Sequence, residues 1–243
     1  MKTKCICIAA IWLLTLPQLA AQTAPVIAMD QEPHHHLVMK NDVVKVFEID
    51  LAPRDAIWMH RHDYDEVSVV IGDATIVSTS PGHADTLWMS KPGIVSFARG
   101  GMEHSVRNIG QTTYHSVSIN LLRTQTGARN LCGTEIPDHA ANCPPVAPDS
   151  NAPRFDQPQF ETDQVRVTLS RISSRQEAAF GEPDRDNLIV AIDEATIAPS
   201  SGKTSGKTLA AGAAVWIARG GVGQILKNNS DKEVRVVTVA FKP

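Results

Sequence analysis

The 243 residues of the chain are enough for one large domain or two small ones, each with its own core, so a disulfide-dependent miniprotein is excluded. The chain contains 42% hydrophobic and 20% charged residues, which excludes general disorder, and its 15 glycines and 15 prolines favour a turn-rich β protein over a helix bundle. The formal net charge is -3 and no basic run could follow a phosphate backbone, so we expect no nucleic-acid partner.

The first 21 residues are predicted to be a secretory signal peptide. Lys2 and Lys4 precede an apolar run from Cys5 to Leu16, and small residues ahead of Ala21 permit cleavage after it. The apolar run is short for a membrane span. We therefore expect the protein to be periplasmic or secreted, with no membrane contact after cleavage.

Residues 22–40 are predicted to form an N-terminal segment outside the folded domains. The run His34-His35-His36 could hold copper or nickel loosely. Because we find no opposing carboxylate, we interpret the run as an exposed segment instead.

The rest of the chain contains one module twice. The sequence Ala98-Arg99-Gly100-Gly101 returns as Ala218-Arg219-Gly220-Gly221, and Asn108 returns as Asn228. Such a repeat predicts two copies of one structural unit. We assign the first copy to residues 41–125 and the second to residues 159–243.

Each copy is predicted to be a small antiparallel β barrel. In the first copy, short alternating runs of apolar residues are separated by turns rich in glycine, proline and aspartate, a spacing typical of sandwiches and barrels. The last run, His115–Leu121, places every second residue on one face. We expect this face, which carries His115, Val117, Ile119 and Leu121, to point into the barrel.

Residues 126–158 are predicted to link the two barrels, because six of the 15 prolines lie there and proline interrupts a β ladder. Cys132 and Cys143 are the cysteines that remain after signal cleavage. An exported protein folds where disulfides persist, so we expect these two to be bonded. Two unpaired thiols are the alternative, and a zinc site is less favoured because His139 is the one other plausible ligand nearby.

Four residues of the first copy form a predicted metal site. His60 and His62 lie two positions apart and therefore share a face of an extended strand, Glu66 has the same parity, and His104 follows the turn at Gly100-Gly101. Three imidazoles and one carboxylate suit one divalent ion of manganese, iron, nickel, copper or zinc. They also leave coordination positions open for a small molecule.

This pattern resembles the two motifs of the cupin superfamily, whose fold is a jelly-roll barrel, or double-stranded β-helix. The first motif, G-x5-H-x-H-x3,4-E-x6-G, is matched at its ligand positions, with Arg54 in place of the first glycine. The second, G-x5-P-x-G-x2-H-x3-N, is matched from Gly93 to Asn108, with Arg99 in place of proline. The resemblance implies an all-β protein of two tandem barrels, a bicupin, with four metal ligands in the first: His60, His62, Glu66 and His104.

The second copy lacks these ligands. The repeat places four other residues at the ligand positions: Gly181, Pro183, Asn187 and Gln224. We therefore expect the second barrel to hold no metal and to have a structural role. The alternative is that Asn187, Gln224 and Arg219 bind a small polar or anionic ligand.

Three more residues are candidates for the site. Trp58 lies two positions before His60 and is expected to wall the cavity. His115 is a candidate general base, although a hydrogen-bonded filler is favoured, and Tyr64 is a candidate to gate the pocket or donate a proton.

The complete ligand set favours an exported mononuclear metalloenzyme that acts on a small molecule, with dioxygenase chemistry as the first candidate. The alternative is a non-catalytic periplasmic protein that binds metal or a small ligand. The sequence is compatible with a homodimer, and it fixes neither the metal nor the substrate.

Overall fold

The computed structural model describes residues 25–131, 139–140, 143, 152–201, 206–220 and 223–243. Within these ranges the regular elements are β strands, apart from the short 3-10 helix Met29–Gln31. The predicted all-β fold is therefore confirmed. In the part of the chain that the structure describes, no helix is long and apolar enough to cross a membrane. The predicted signal peptide lies outside the described residues.

The first half of the chain forms two β sheets. Its strands, with β12 from the linker, are β1 (Ile27–Ala28), β2 (His35–Lys40), β3 (Val44–Leu51), β4 (Ala56–Arg61), β5 (Asp65–Val70), β6 (Ala74–Thr79), β7 (Thr86–Ser90), β8 (Val95–Ala98), β9 (Glu103–Asn108), β10 (Tyr114–Leu121) and β12 (His139–Ala140). One sheet has the spatial order β1-β4-β9-β6-β7, and the other has the order β12-β8-β5-β10-β3-β2. The two sheets enclose the interior of the first barrel, where Phe47, Ile57 and Val106 belong to one apolar cluster.

The second half repeats this arrangement. Its strands, with β11 from the linker, are β11 (Arg129–Asn130), β13 (Arg154–Glu161), β14 (Val165–Ile172), β15 (Glu177–Phe180), β16 (Asn187–Ala191), β17 (Ala195–Pro199), β18 (Lys207–Leu209), β19 (Ala214–Ile217), β20 (Gln224–Lys227) and β21 (Val234–Phe241). The sheets have the orders β11-β13-β14-β21-β16-β19 and β15-β20-β17-β18. Because β14 and β21 pair as β3 and β10 do, the structure has two barrels of one design.

A buried asparagine holds the same turn in both barrels. The side-chain amide of Asn108 donates to the carbonyl groups of Leu51 and Thr112, and its oxygen accepts from Gly110 N at 2.9 Å. Asn228 makes the equivalent bonds in the second barrel, including bonds to the carbonyl groups of Ile172 and Lys232. The repeat seen in the sequence thus extends to individual hydrogen bonds.

The two barrels pack together through their six-stranded sheets. One continuous apolar core joins Val117, Ile119 and Phe97 of the first barrel to residues of the second, with the rings of Phe97 and Phe160 6.2 Å apart. The face of β10 that carries Val117 and Ile119 therefore meets the second barrel. The expectation that this face points into its own barrel is wrong.

The segment predicted to lie outside the barrels takes part in the first one. β2 pairs with β3, and β1 pairs in parallel with β4, so that Ile27 lies opposite His60. Residues 29–34 thus connect the edge of one sheet to the edge of the other. This connection brings the N-terminal segment to the predicted metal site.

Candidate metal centre

Three histidine side chains converge inside the first barrel. His60 lies near the end of β4 and His62 directly follows that strand, while His104 lies opposite His60 on the neighbouring strand β9. The Nε2 atom of His62 lies 3.0 Å from Nε2 of His60 and 3.0 Å from Nε2 of His104. His60 and His62 are buried, with 1% and 4% of their surface exposed. The structure thus brings together the three imidazoles that the sequence predicts.

The second ring nitrogen of each histidine faces an oxygen atom. His60 Nδ1 donates to the carbonyl oxygen of Trp58 at 2.8 Å, and His62 Nδ1 donates to Glu66 Oε2 at 2.5 Å. Ser78 Oγ lies 3.2 Å from His104 Nδ1. Metal-bound histidines are oriented in this way, because a hydrogen bond at one nitrogen fixes the tautomer and leaves the other nitrogen to the metal.

Burial and charge separate the pKa values of these groups. Burial lowers the pKa of His60 to about 4 and that of His104 to about 3, so both rings are neutral at physiological pH. Burial also opposes charge on His62, but the adjacent Glu66 carboxylate outweighs it and raises the pKa of His62. Burial would raise the pKa of Glu66, yet contact with His62 holds it at about 2.

The donor set fits one divalent transition-metal ion. His60 and His62 each carry a proton on Nδ1, so in their neutral forms they turn lone pairs toward each other across 3.0 Å. A proton on His62 relieves this repulsion, and a cation held by all three nitrogens would relieve it more fully. Two nitrogens bound to one ion at about 2.1 Å and at right angles lie about 3.0 Å apart. The observed spacing therefore matches ligation of a single ion.

The Glu66 carboxylate contacts Nδ1 of His62 and does not lie among the three Nε2 atoms. At this site, three ligand atoms from His60, His62 and His104 lie close enough to share an ion, and the Glu66 carboxylate instead contacts Nδ1 of His62. Glu66 lies on β5 in the opposite sheet, so it approaches the His62 ring from its far side. Direct ligation by Glu66 stays a prediction.

The three nitrogens open into a small cavity of about 50 Å³. Its wall carries the side chains of Met29, Ser68, Tyr114, Ser116 and Ser118. Pockets for drug-sized ligands have volumes of about 300–1,000 Å³. The cavity in this conformation therefore accommodates an ion with a molecule of only a few atoms.

Trp58 does not wall this cavity, so its sequence prediction is wrong. The side chain of Trp58 is 60% exposed. The pairing of β4 with β9 is irregular between Ile57 and His60, and this bulge shifts the alternation by one residue. Ile57, which is 3% exposed, takes the place in the wall that was predicted for Trp58.

His115 faces away from the cavity, so its predicted inward position is also wrong. Its Nε2 lies 2.9 Å from Glu48 Oε1 on the side of the sheet that meets the second barrel. A Cβ atom on Gly212 of the second barrel would come within 2.6 Å of the His115 ring. His115 is thus an interface residue, and it contacts no group of the three-histidine centre.

Tyr64 is half-buried but does not line the cavity. The Lys45 Nζ atom lies over its ring, 5.4 Å from the centroid. The structure therefore brings neither Tyr64 nor His115 to the three histidines, although the sequence predicts both as catalytic candidates.

Two residues of the N-terminal segment reach the site and were missed in the sequence. The side chains of Glu32 and His35 are 0% and 4% exposed, and His35 lines the cavity. The expectation of an exposed His34-His35-His36 run is therefore wrong for His35, whereas His36 is exposed. Glu32 precedes the run by only two residues, so a carboxylate within reach of it was visible in the sequence.

The ligand positions of the second barrel have other roles. The side-chain amide of Asn187 donates to the carbonyl groups of Glu182 and Arg185 and accepts from Glu182 N, so it holds a loop. Asn187 and Gln224 line a pocket of about 410 Å³, but Arg219 is exposed and does not line it. The alternative ligand site of Asn187, Gln224 and Arg219 is thus not assembled as predicted.

The predicted disulfide falls partly outside the described residues, because Cys132 is not among them. Cys143 is 5% exposed, and its backbone N–H donates to Gln159 Oε1 at 3.0 Å. The pairing of Cys132 with Cys143 stays a prediction.

Comparison with known proteins shows similarity in structure alone. No family model matches the sequence, and no curated protein matches it. The crystal structure of AerE from Microcystis aeruginosa is 9% identical, with a TM-score of 0.57 over 87% of this chain and 99% of that chain. A putative glyoxylate-induced protein from Pseudomonas aeruginosa is 14% identical, with a TM-score of 0.59 over 85% of this chain and 77% of its own.

A further similar structure is a variant of salicylate 1,2-dioxygenase from Pseudoaminobacter salicylatoxidans in complex with gentisate. It is 11% identical, with a TM-score of 0.58 over 89% of this chain and 76% of that chain. At these identities the similarity establishes the fold and leaves the activity open. Together with the two sequence motifs and the paired barrels, it shows that the chain has the fold of the cupin superfamily in its two-barrel form.

Proposed function

We propose that the protein is an exported mononuclear metalloenzyme whose first barrel binds a divalent transition-metal ion and acts on a small molecule, with dioxygenase-like chemistry as the first candidate. The proposal depends on the convergence of three Nε2 atoms: His62 Nε2 lies 3.0 Å from His60 Nε2 and 3.0 Å from His104 Nε2. In each of the three rings, Nδ1 faces an oxygen atom. His60, His62 and His104 would hold the ion. Glu66 orients His62, and it is also the predicted fourth ligand.

The three imidazoles limit the choice of metal ion to a few transition metals but do not identify one. Neutral imidazoles bind manganese, iron, nickel, copper and zinc, and three of them leave positions open for a bound molecule. A divalent ion supplies Lewis acidity or the activation of dioxygen through these open positions. The residues of the chain contribute orientation of the ligands and exclusion of bulk water, since His60 and His62 are almost fully buried.

The similarity to a salicylate dioxygenase structure supports dioxygenase chemistry as the first candidate, through the shared fold. The size of the cavity favours a compact substrate, because about 50 Å³ is too small for an aromatic acid unless the wall moves. We therefore place small polar molecules before aromatic ones among the substrates to be tested.

A second candidate function is non-catalytic binding of metal or a small ligand. One residue of the cavity wall favours binding over catalysis. Burial raises the pKa of Tyr114 to about 12, and a phenol with that pKa is a poor proton donor for catalysis at neutral pH. Oxygen uptake separates the two functions. An enzyme with dioxygenase chemistry, the first candidate, consumes oxygen above the free-metal background with some member of a panel of thiols, hydroxy acids, phenols and sugars, whereas a binder consumes none.

The metal site itself is tested by elemental analysis. Wild-type protein purified from its native compartment is expected to carry about one transition-metal ion per chain, and His62→Ala and His104→Ala are expected to carry much less. His83→Ala is the matched control, because that histidine is exposed and belongs neither to the cavity wall nor to a group of residues close enough to share an ion. Equal metal content in the wild type, His62→Ala and His104→Ala would contradict the proposal.

Export is part of the proposal and is tested separately. Cell fractionation should recover the protein outside the cytoplasm, and its N-terminal sequence should begin after Ala21. Mass spectrometry before and after reduction should show the bond between Cys132 and Cys143. Light scattering on the same sample measures whether it is the homodimer with which the sequence is compatible.

A further inference from the structure

The N-terminal segment forms one side of the three-histidine centre. β1 runs parallel to β4 with Ile27 opposite His60, and Met29 is buried with 3% of its surface exposed. The chain then turns and pairs with β3 through β2, whose first residue is His35. Residues 27–35 are thus held at both ends by sheet pairing, which fixes the side chains between them.

Glu32 anchors His35 within this segment. The Glu32 carboxylate is fully covered and accepts from the backbone N–H groups of His34 at 2.8 Å and Trp58 at 3.2 Å. His35 Nδ1 lies 2.8 Å from Glu32 Oε2. Although burial opposes its ionisation, these bonds hold the pKa of Glu32 at about 2, so the carboxylate can only accept. His35 must therefore carry its ring proton on Nδ1.

In the neutral ring, a proton on Nδ1 leaves a lone pair on Nε2 of His35. Within the described residues no hydrogen bond reaches this atom. The His35 ring lies 4.8 Å from the ring of His60, centroid to centroid, and lines the same cavity. Its nitrogen atoms are not part of the compact group formed by His60, His62 and His104. His35 is therefore placed to contact a molecule bound at the centre rather than the ion.

We propose that Glu32 and His35 form a substrate-positioning site, in which Nε2 of His35 accepts a hydrogen bond from an O–H or N–H group of a small molecule held at the three-histidine centre. This inference rests on the proposed function of the metal centre. It adds the chemical class of the small molecule that binds there. The molecule is a small chelating ligand, such as a 2-hydroxy acid, that carries an O–H or N–H group next to the oxygen atom that binds the metal. A molecule of the same size without that proton gains nothing from His35.

Two probes that differ in one hydroxyl group test this preference. Glycolate and acetate are titrated into cobalt-loaded full-length protein, and binding is followed by the visible spectrum of the cobalt ion. Wild type is expected to prefer glycolate over acetate by about 5- to 20-fold beyond the preference of free cobalt, since a hydrogen bond to a neutral acceptor contributes about one power of ten. Because free cobalt also prefers glycolate, the decisive quantity is the change in this ratio between variants.

Three variants locate the effect. His35→Leu and His35→Phe remove the acceptor at similar volume, and both are expected to lower the glycolate-to-acetate ratio about 5- to 20-fold while cobalt affinity changes less than threefold. His36→Leu is the matched control on the exposed face of β2 and is expected to keep the wild-type ratio. A ratio unchanged in a folded His35 variant overturns the proposal. Loss of cobalt affinity by more than tenfold in both His35 variants also overturns it, because His35 would then support the metal itself.

The outcome for the proposed function is distinct. If wild-type protein does not retain cobalt, the metal centre fails, and the substrate site that depends on it fails with it. If wild type retains cobalt and the ratio is insensitive to His35, the metal centre stands and only the role of His35 is rejected.

Discussion

Replacement of Glu66 by glutamine tests whether this carboxylate acts on the metal through His62. Glu66 Oε2 lies 2.5 Å from His62 Nδ1, and both side chains are almost completely buried. The amide is nearly isosteric but neutral, so His62 keeps its place and loses a charge-assisted hydrogen bond. Such a bond contributes about 1.5–3 kcal/mol, and every 1.4 kcal/mol changes an equilibrium about tenfold. Metal affinity should therefore fall about 10- to 100-fold, the usual range for groups that orient a ligand.

The assay is competition between the protein and a chelator of known affinity, with zinc or cobalt at constant pH. His62→Ala sets the scale for loss of a ligand, because it removes one metal–nitrogen bond. Glu103→Gln is the matched control, since Glu103 neighbours His104 on β9 but belongs to neither the cavity wall nor the ligand group. We expect the control to change affinity less than about threefold.

Two results would refute this reasoning in opposite directions. If Glu66→Gln loses as much affinity as His62→Ala, the carboxylate binds the metal directly, as the resemblance to cupins implies. If its affinity equals that of wild type, the hydrogen bond to His62 has no influence on the site. A fall between these limits, together with a changed imidazole N–H resonance of His62 in NMR spectra, supports orientation.

Three further predictions concern stability. The folded state holds the pKa of Glu32 at about 2, below its ordinary value of 4.5. The ionised Glu32 side chain therefore stabilises the fold above pH 4.5, and this contribution is lost as the pH falls toward 2. The melting temperatures of wild type and Glu32→Gln should differ at pH 6 and converge near pH 2. Asn108→Ala and Asn228→Ala should each cost about 2 kcal/mol in urea unfolding, because each leaves buried backbone groups unpaired, and a large difference between them would contradict equivalent turns. Gly212→Ala should cost about 2–4 kcal/mol, since φ is 85° and the new Cβ would meet the His115 ring at 2.6 Å. In a His115→Ala background the ring contact is gone, and the cost should fall toward the backbone part of about 1–2 kcal/mol, with the end of the Glu48 side chain, 3.0 Å from the new Cβ, as the remaining neighbour. An equal cost in both backgrounds would show that Gly212 and His115 do not touch.

The sequence predicted the repeat and the three histidines because each depends on local spacing. Residues two apart on a strand share a face whatever the tertiary structure, so His60 and His62 had to point the same way. The repeat extends even to a strained position. Arg54 has a φ of 72° and Arg175, its counterpart in the second copy, has a φ of 58°. Arg54 stands where the cupin motif has glycine, which shows that the chain keeps the left-handed turn at a cost of about 1–2 kcal/mol.

The wrong predictions have two physical causes. Trp58 was misplaced because the bulge in β4 is set by pairing with β9, and nothing in the order of residues marks it. His115 was misplaced because alternation divides β10 into two faces without saying which one lies inside. Both faces of β10 are buried: Ser116 and Ser118 line the cavity, and Val117 and Ile119 pack on the second barrel. A rule that places apolar residues inside a barrel fails when a second barrel covers its outside.

On β10 the polar side chains face the cavity and the apolar side chains face the second barrel. This arrangement gives the second barrel a physical role in the site. Small polar side chains such as Ser116 and Ser118 contribute little hydrophobic stabilisation, so the side of the barrel that they and the three histidines line adds little to the interior apolar cluster of Phe47, Ile57 and Val106. The outward face of the same sheet supplies the deficit, because Val117 and Ile119 are fully buried against the other copy and a buried side chain of this kind contributes about 1.5–3 kcal/mol. The loss of metal ligands in the second copy therefore does not make it dispensable. By covering the apolar face, it allows the first barrel to keep polar side chains around the three histidines beside its interior apolar cluster.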